Sequence, residues 1–107
     1  MINRSIFILL ISVSVIYTQN RVKINVMDSS TSKPISGVRT YILNTNLRTG
    51  SDSTGLVIFE SVPDGYYTFG FSYVGYNQYT INLEISSKEE NFFTVKIPKP
   101  KYYGRDY

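Results

Sequence analysis

Eight carboxylates, eleven lysines and arginines and ten tyrosines carry most of the chemistry available to this 107-residue chain; histidine and cysteine are both absent. Without imidazole or thiol there is no Ser–His–Asp triad, no thiolate nucleophile, no zinc site of the usual donors and no disulfide framework. General acid–base catalysis would need a positioned carboxyl with a shifted pKa. Asp28, Asp52 and Asp64 stand in turn sequences, Glu60 and Glu84 at outward strand positions, and Glu89 and Glu90 in a polar loop. The Asp52/Thr54 loop is the nearest thing to a site, and turn chemistry accounts for it. No set of nucleophile, base and orienting partner assembles, so no catalytic residue is expected. No calcium-type D-x-D-x-D-G loop occurs and no three acids fall within one turn, so no metal and no cofactor are expected.

The cations and tyrosines point to recognition rather than reaction. Lys99, Lys101 and Arg105 interleave with Tyr102, Tyr103 and Tyr107, a pattern that can stack bases and meet phosphates. Residues 20–95 nevertheless carry a net charge of −1 against +3 for the whole chain, so nucleic acid is not the expected partner. The segment 98–107 reads as a basic, Tyr-rich tail. Its Lys-Pro alternation suits an extended exit. Tyr102, Tyr103 and Arg105 could then add to a partner's sheet edge, solvation being the alternative. Exposed tyrosines also bind sugars, which makes a carbohydrate-binding module the second reading. Tyr67, Tyr73 and Tyr79 fall on inward positions, which leaves Tyr41, Tyr66, Tyr76 and the tail tyrosines for that role. The absence of tryptophan weakens it.

The elements that position these residues follow from period-2 alternation, repeated six times between turn residues. The inward sets are Val22, Ile24, Val26; Val38, Thr40, Ile42; Val57, Phe59; Tyr67, Phe69, Phe71, Tyr73; Tyr79, Ile81, Leu83, Ile85; and Phe93, Val95, Ile97. A short seventh strand fits Leu47–Ser51. Many short half-buried strands without a helical period predict an all-β antiparallel sandwich or barrel. Asp28 to Pro34 and Ser51 to Gly55 read as loops whose side chains bond their own backbone. Pro63-Asp64-Gly65 reads as a tight turn joining the third and fourth runs as a hairpin.

Met1–Arg4 is polar and positive, and Ile6–Tyr17 is uncharged and apolar. That order at an N-terminus predicts a secretory signal peptide over 1–19, with cleavage placed near Thr18. Twelve apolar residues are too few for a spanning helix, which needs about 20, so no transmembrane span is expected after cleavage. An uncleaved anchor or a buried strand are the alternatives.

One outward face is less polar than a solvated sheet should be. Tyr41, Leu43, Leu56, Ile58 and Tyr66 all have outward parity. If Pro63 centres a hairpin, Leu56, Ile58 and Tyr66 share a face, and such a patch marks an interface or a surface that the tail covers.

Four blocks of sequence, in order, resemble a known family. They are Val26-Met27-Asp28 with Thr31-Ser32-Lys33-Pro34-Ile35-Ser36-Gly37-Val38; Ser53-Thr54-Gly55-Leu56-Val57-Ile58-Phe59; Val62-Pro63-Asp64-Gly65-Tyr66-Tyr67; and Phe71-Ser72-Tyr73-Val74-Gly75-Tyr76. Together they are similar to the carboxypeptidase-regulatory-like domain over residues 20–97. The last block looks like versions from Bacteroidetes-type bacteria, where such domains precede TonB-dependent receptors or sit on other exported proteins. The resemblance implies a seven-stranded antiparallel Greek-key sandwich of transthyretin type. It also implies a non-catalytic accessory module in the periplasm or on the surface of a Gram-negative bacterium, with an envelope protein as partner. The same fold includes a histidine-dependent hydrolase, a reading the lack of histidine opposes. The motif residues Asp28, Thr31, Pro34, Gly37, Thr54, Gly55, Pro63, Gly65, Tyr67, Gly75 and Tyr76 are expected to shape loops and strand ends rather than to act.

Overall fold

The alternating sequence becomes seven strands in the computed structural model, which describes residues 19–100. They are β1 (Gln19–Asp28), β2 (Arg39–Ile42), β3 (Arg48–Gly50), β4 (Leu56–Pro63), β5 (Gly65–Ser72), β6 (Tyr79–Ile85) and β7 (Phe92–Ile97). No helix occurs among the described residues. The expected short strand within Leu47–Ser51 is β3. The expected leader over 1–19 lies outside the described residues except for Gln19, which already belongs to β1. Tyr102, Tyr103 and Arg105 lie outside them as well.

The strands form two sheets, one in the order β4-β1-β7 and the other in the order β3-β2-β5-β6. Their inward faces build one core that includes Val22, Ile24, Val26, Val38, Ile42, Val57, Phe59, Phe69, Phe71, Ile85, Val95 and Ile97. This is the transthyretin-like sandwich the sequence implied, with one departure from a wholly antiparallel arrangement. β1 and β7 pair in parallel, from Lys23 opposite Phe92 to Asp28 opposite Ile97. Such a pair cannot be joined by a hairpin. The five strands between them in sequence make the crossover.

The hairpin expected at Pro63 does not form, because β4 and β5 belong to different sheets. The cause is local. Asn20 pairs with Val62 but Val22 pairs with Phe59, so β4 carries one extra residue at Glu60-Ser61. This bulge reverses the parity of β4 and turns Val62 into the core, where it is fully buried. Pro63-Asp64-Gly65 then crosses from one sheet to the other as a corner. Asn20 Nδ2 donates to Val62 O at 2.9 Å and to Asp64 Oδ1 at 2.7 Å, and Ser87 Oγ donates to Asp64 Oδ2 at 3.2 Å. The Tyr67 hydroxyl closes the corner by donating to Pro63 O at 2.9 Å.

Two further differences concern the core. Alternation places Tyr73 inward, but β5 ends at Ser72 and Tyr73 is exposed in the turn beyond it. Ile35 and Val62 are not among the expected inward positions and are both buried. Neither lies on an unbroken alternation: Ile35 sits in a loop bonded to β1, its N–H donating to Val26 O at 3.0 Å.

Candidate interaction surfaces

Three aspartates are committed to loop geometry. Asp28 Oδ1 accepts from Ser30 N at 2.8 Å, Ser30 Oγ at 2.7 Å and Thr31 N at 3.0 Å. Its other oxygen accepts from the Tyr76 hydroxyl at 2.7 Å. The Tyr76 donor, then those of Ser30 and Thr31, hold the Asp28 carboxyl far below the ordinary carboxylate range. The same bond pushes the Tyr76 phenol upward. Asp52 Oδ1 accepts from Thr54 Oγ1 at 2.6 Å, Thr54 N at 2.8 Å and Leu56 N at 3.1 Å, which lowers its pKa, Thr54 contributing most. Asp64 is lowered chiefly by Asn20. A carboxylate stabilised in its charged form by several donors is a poor proton acceptor at neutral pH. Among the described residues no group of three acids gathers as a metal site would.

Several of the motif residues bond or crowd the backbone of their loops. Thr31 Oγ1 accepts from Lys33 N at 3.2 Å. Gly55 has φ +82°, and a Cβ there would stand 2.8 Å from both Pro34 Cβ and Val26 O, so no other residue fits. Gly55 O in turn accepts from Val26 N at 2.8 Å. Three polar residues that sequence reasoning passed over do comparable work. Ser51 Oγ accepts from Val38 N at 2.8 Å and donates to Ile35 O at 2.7 Å. Asn91 spans the β6–β7 loop through Ser86 N and Ser86 O, and Asn20 fixes the corner. Ser51 and Asn91 stand in loops, where no periodic signal reaches, whereas Asn20 continues the inward parity of Val22, Ile24 and Val26 in β1.

The expected apolar patch is divided. Leu56 and Ile58 lie on the outer face of the β4-β1-β7 sheet, where their cross-strand partners are Asn25 and Lys23. Tyr41, Leu43 and Tyr66 lie on the outer face of the other sheet. Tyr41 is opposite Gly70, and its ring packs over that glycine while Gln78 Nε2 donates to its hydroxyl. That contact accounts for Tyr41 as cover for bare backbone. Tyr66, 81 % exposed, and Leu43 border a depression of about 300 Å³ also lined by Asn44, Thr45, Tyr67 and Thr68.

The two open sides of the sandwich differ. Where β3 meets β4, the inward residues Val57 and Phe59 of β4 are buried and Thr49 of the short β3 is half-buried. On the β6/β7 side Ile85, Val95 and Ile97 are buried, whereas the inward residues Tyr79, Ile81, Leu83 and Phe93 are only half-buried. β6 is also a free edge seven residues long, with no proline or lysine and only Glu84 as a charge. Natural edges are usually short, charged or bulged to prevent pairing. The other edges obey that rule: β3 has three residues and Arg48, β4 has its bulge and Pro63, and β7 has Lys96.

Comparison with known proteins places this architecture. The family model described as CarboxypepD_reg-like domain matches residues 23–102. No curated protein matches by sequence. Among solved structures, the TIE protein of Bacillus anthracis superposes with a TM-score of 0.62 at 16 % identity, over 77 % of this chain and 17 % of that one. A type II cohesin–X-dockerin complex from Acetivibrio cellulolyticus gives 0.59 at 22 % identity, over 74 % and 56 %. The 5-hydroxyisourate hydrolase of Klebsiella pneumoniae gives 0.55 at 15 % identity, over 86 % and 99 %. This chain thus spans 17 % and 56 % of the first two, and at these identities the likeness is one of fold.

Proposed function

The chain belongs to the CarboxypepD_reg-like domain family, and from that membership we propose that it is a non-catalytic accessory module that binds a separate protein in a bacterial cell envelope. The observation that carries the reading is the β6/β7 side. Tyr79, Ile81, Leu83 and Phe93 leave apolar surface half-covered beside an unguarded strand edge. An extended segment of a partner laid along β6 would pair with its free backbone groups and cover those side chains, which is recognition by strand addition. The catalytic alternative finds no support in the committed state of Asp28, Asp52 and Asp64. Export through the 1–19 leader is part of the same proposal, as is a location in the periplasm or on the cell surface. No helix among the described residues is long and apolar enough to cross a membrane.

The test is photo-cross-linking in the native host. A benzophenone amino acid at Asn82, on the outward face of β6, should capture one envelope protein reproducibly. The same probe at Ser61, in the bulge of β4, should not. Equal labelling from both positions, or none from Asn82, overturns the proposal.

A carbohydrate reading rests on Tyr66. Its exposed ring stands beside Asn44, Thr45 and Thr68 in the 300 Å³ depression, an aromatic platform with polar neighbours. Calorimetric titration with a glycan panel should show heat that Tyr66→Ala removes; silence across the panel ends this reading.

A further inference from the structure

Arg39 and Arg48 stand on one corner of the outer face of the β3-β2-β5-β6 sheet. Arg39 pairs with Gly50 and Tyr41 with Arg48, so the two arginines are diagonal neighbours across β2 and β3. Diagonal positions lie about 7–8 Å apart. Both side chains are exposed. Among the described residues neither makes a salt bridge, the ion pair found there being Arg21 with Glu60. The nearest acid along the chain, Asp52, directs Oδ1 to Thr54 and Leu56. On the outward positions of this sheet the acid is Glu84, on the opposite edge strand.

Two like charges so placed raise each other's energy unless an anion joins them. The surface around them admits one. Gly37, Arg39, Arg48, Thr49 and Gly50 line a depression of about 410 Å³, and its two glycines leave the floor free of side chains. A second hollow of about 210 Å³ adjoins it through Gly37 and Arg39 and is bordered by Ser72, Tyr73 and Val74. Val74 is 90 % exposed and Tyr73 37 %. Arginine and tyrosine around an apolar residue is the composition of an interface centre.

We propose that this corner binds an extended acidic segment of a protein, with carboxylates two residues apart and an apolar side chain two residues further along on the same face. In an extended chain, residues i and i+2 lie on one face about 6.6 Å apart. That spacing is close to the diagonal of the two arginine positions, and each guanidinium can hold a carboxylate through paired N–H donors. Tyr73 and Val74 supply the apolar contact, which selects a peptide over a bare polyanion. The proposal rests on the reading of the chain as a protein-binding module and names a second surface and its chemistry.

The test uses the full chain, 15N-labelled, titrated with acetyl-Val-Ser-Glu-Ser-Glu-amide, whose valine and two glutamates share one face when extended. Amide shifts should concentrate at Arg39, Arg48, Thr49, Gly50 and Val74, and the affinity should fall as salt is raised. Arg39→Gln/Arg48→Gln, both at exposed positions, should weaken binding about tenfold while leaving the remaining spectrum unchanged. A peptide with adjacent glutamates, acetyl-Val-Ser-Glu-Glu-Ser-amide, should bind more weakly, and the lysine counterpart of the first peptide should not bind. Equal affinity of the double variant, or shifts at β6 instead, would overturn the site. So would tighter binding of a sulfated hexasaccharide or of phosphatidylglycerol vesicles, which would assign the arginines to a glycan or a lipid surface. Peptide binding without a cross-linked cellular partner would instead count against the envelope-protein reading and leave this site standing.

Discussion

The β3/β4 side and the β6/β7 side are built from strands of the same alternating pattern, yet one is sealed and the other open. On the sealed side, side chains bond backbone across the seam. Ser51 ties the 35–38 segment to β3, Asp52 gathers the amides that lead into β4, and Gly55 lets the loop lie against Pro34 and β1. On the open side, Asn91 organises the connecting loop at one end, and along the strands Tyr79, Ile81, Leu83 and Phe93 meet the core with only part of their surface. The polar ties and the tightest packing thus gather on one side of the sandwich.

Substitutions should reveal that division by their size. Gly55→Ala forces a Cβ into Pro34 and Val26 O at a left-handed φ, combining a backbone cost of about 1–2 kcal/mol with about 1–3 for overpacking. Chemical denaturation should show a loss of about 4 kcal/mol; a near-neutral result would show that the seam yields. Ser51→Ala leaves the Val38 N–H and the Ile35 carbonyl buried and unpaired, about 1–3 kcal/mol each. A loss of about 3 kcal/mol is expected, read as a fall in Tm of about 4–8 °C for each kcal/mol in a domain of this size. Val57→Ala against Ile81→Ala measures the two seams directly. The buried Val57 should cost about 2 kcal/mol and the half-buried Ile81 about 1. Equal losses would mean that the β6 side is closed in solution.

The smallest effect is expected from protons. Asp28, Asp52 and Asp64 all have folded-state pKa values below their unfolded value of about 3.9. Their contribution is complete above that value and is lost as pH falls through it toward the folded values. Tm should therefore hold between pH 7 and about 5 and decline below about 4. Tyr76→Phe removes the leading donor to Asp28 and should flatten that decline, as thermal scans across the acid range would record.

Much of the fold was legible because a strand's side-chain period is 2. Val22, Ile24, Val26, Val38, Thr40, Ile42, Phe69 and Phe71 all face where alternation places them. The partnering of strands was less legible. One extra residue at Glu60-Ser61 shifts β4 out of phase, and Pro63-Asp64-Gly65 has the residue types of a hairpin although it serves as a corner between sheets. The divided apolar patch stems from that single misreading. The Asp28–Tyr76 bond joins residues 48 apart in sequence, so only the resemblance pointed to both of them. The open β6/β7 side and the arginine corner depend on which strands are edges, which no local pattern encodes.

The parallel pairing of β1 and β7 has a mechanical meaning. The chain enters the domain at Gln19 and leaves beyond Ile97 at the opposite end, a path set by two neighbouring strands running in the same direction. A pull applied through the two flanks therefore loads the ladder from Lys23–Phe92 to Asp28–Ile97 in shear, with its hydrogen bonds strained together instead of one after another. Ten residues of β1 set the length held between those points, about 30 Å. A module threaded this way resists extension along the line that joins its two flanks.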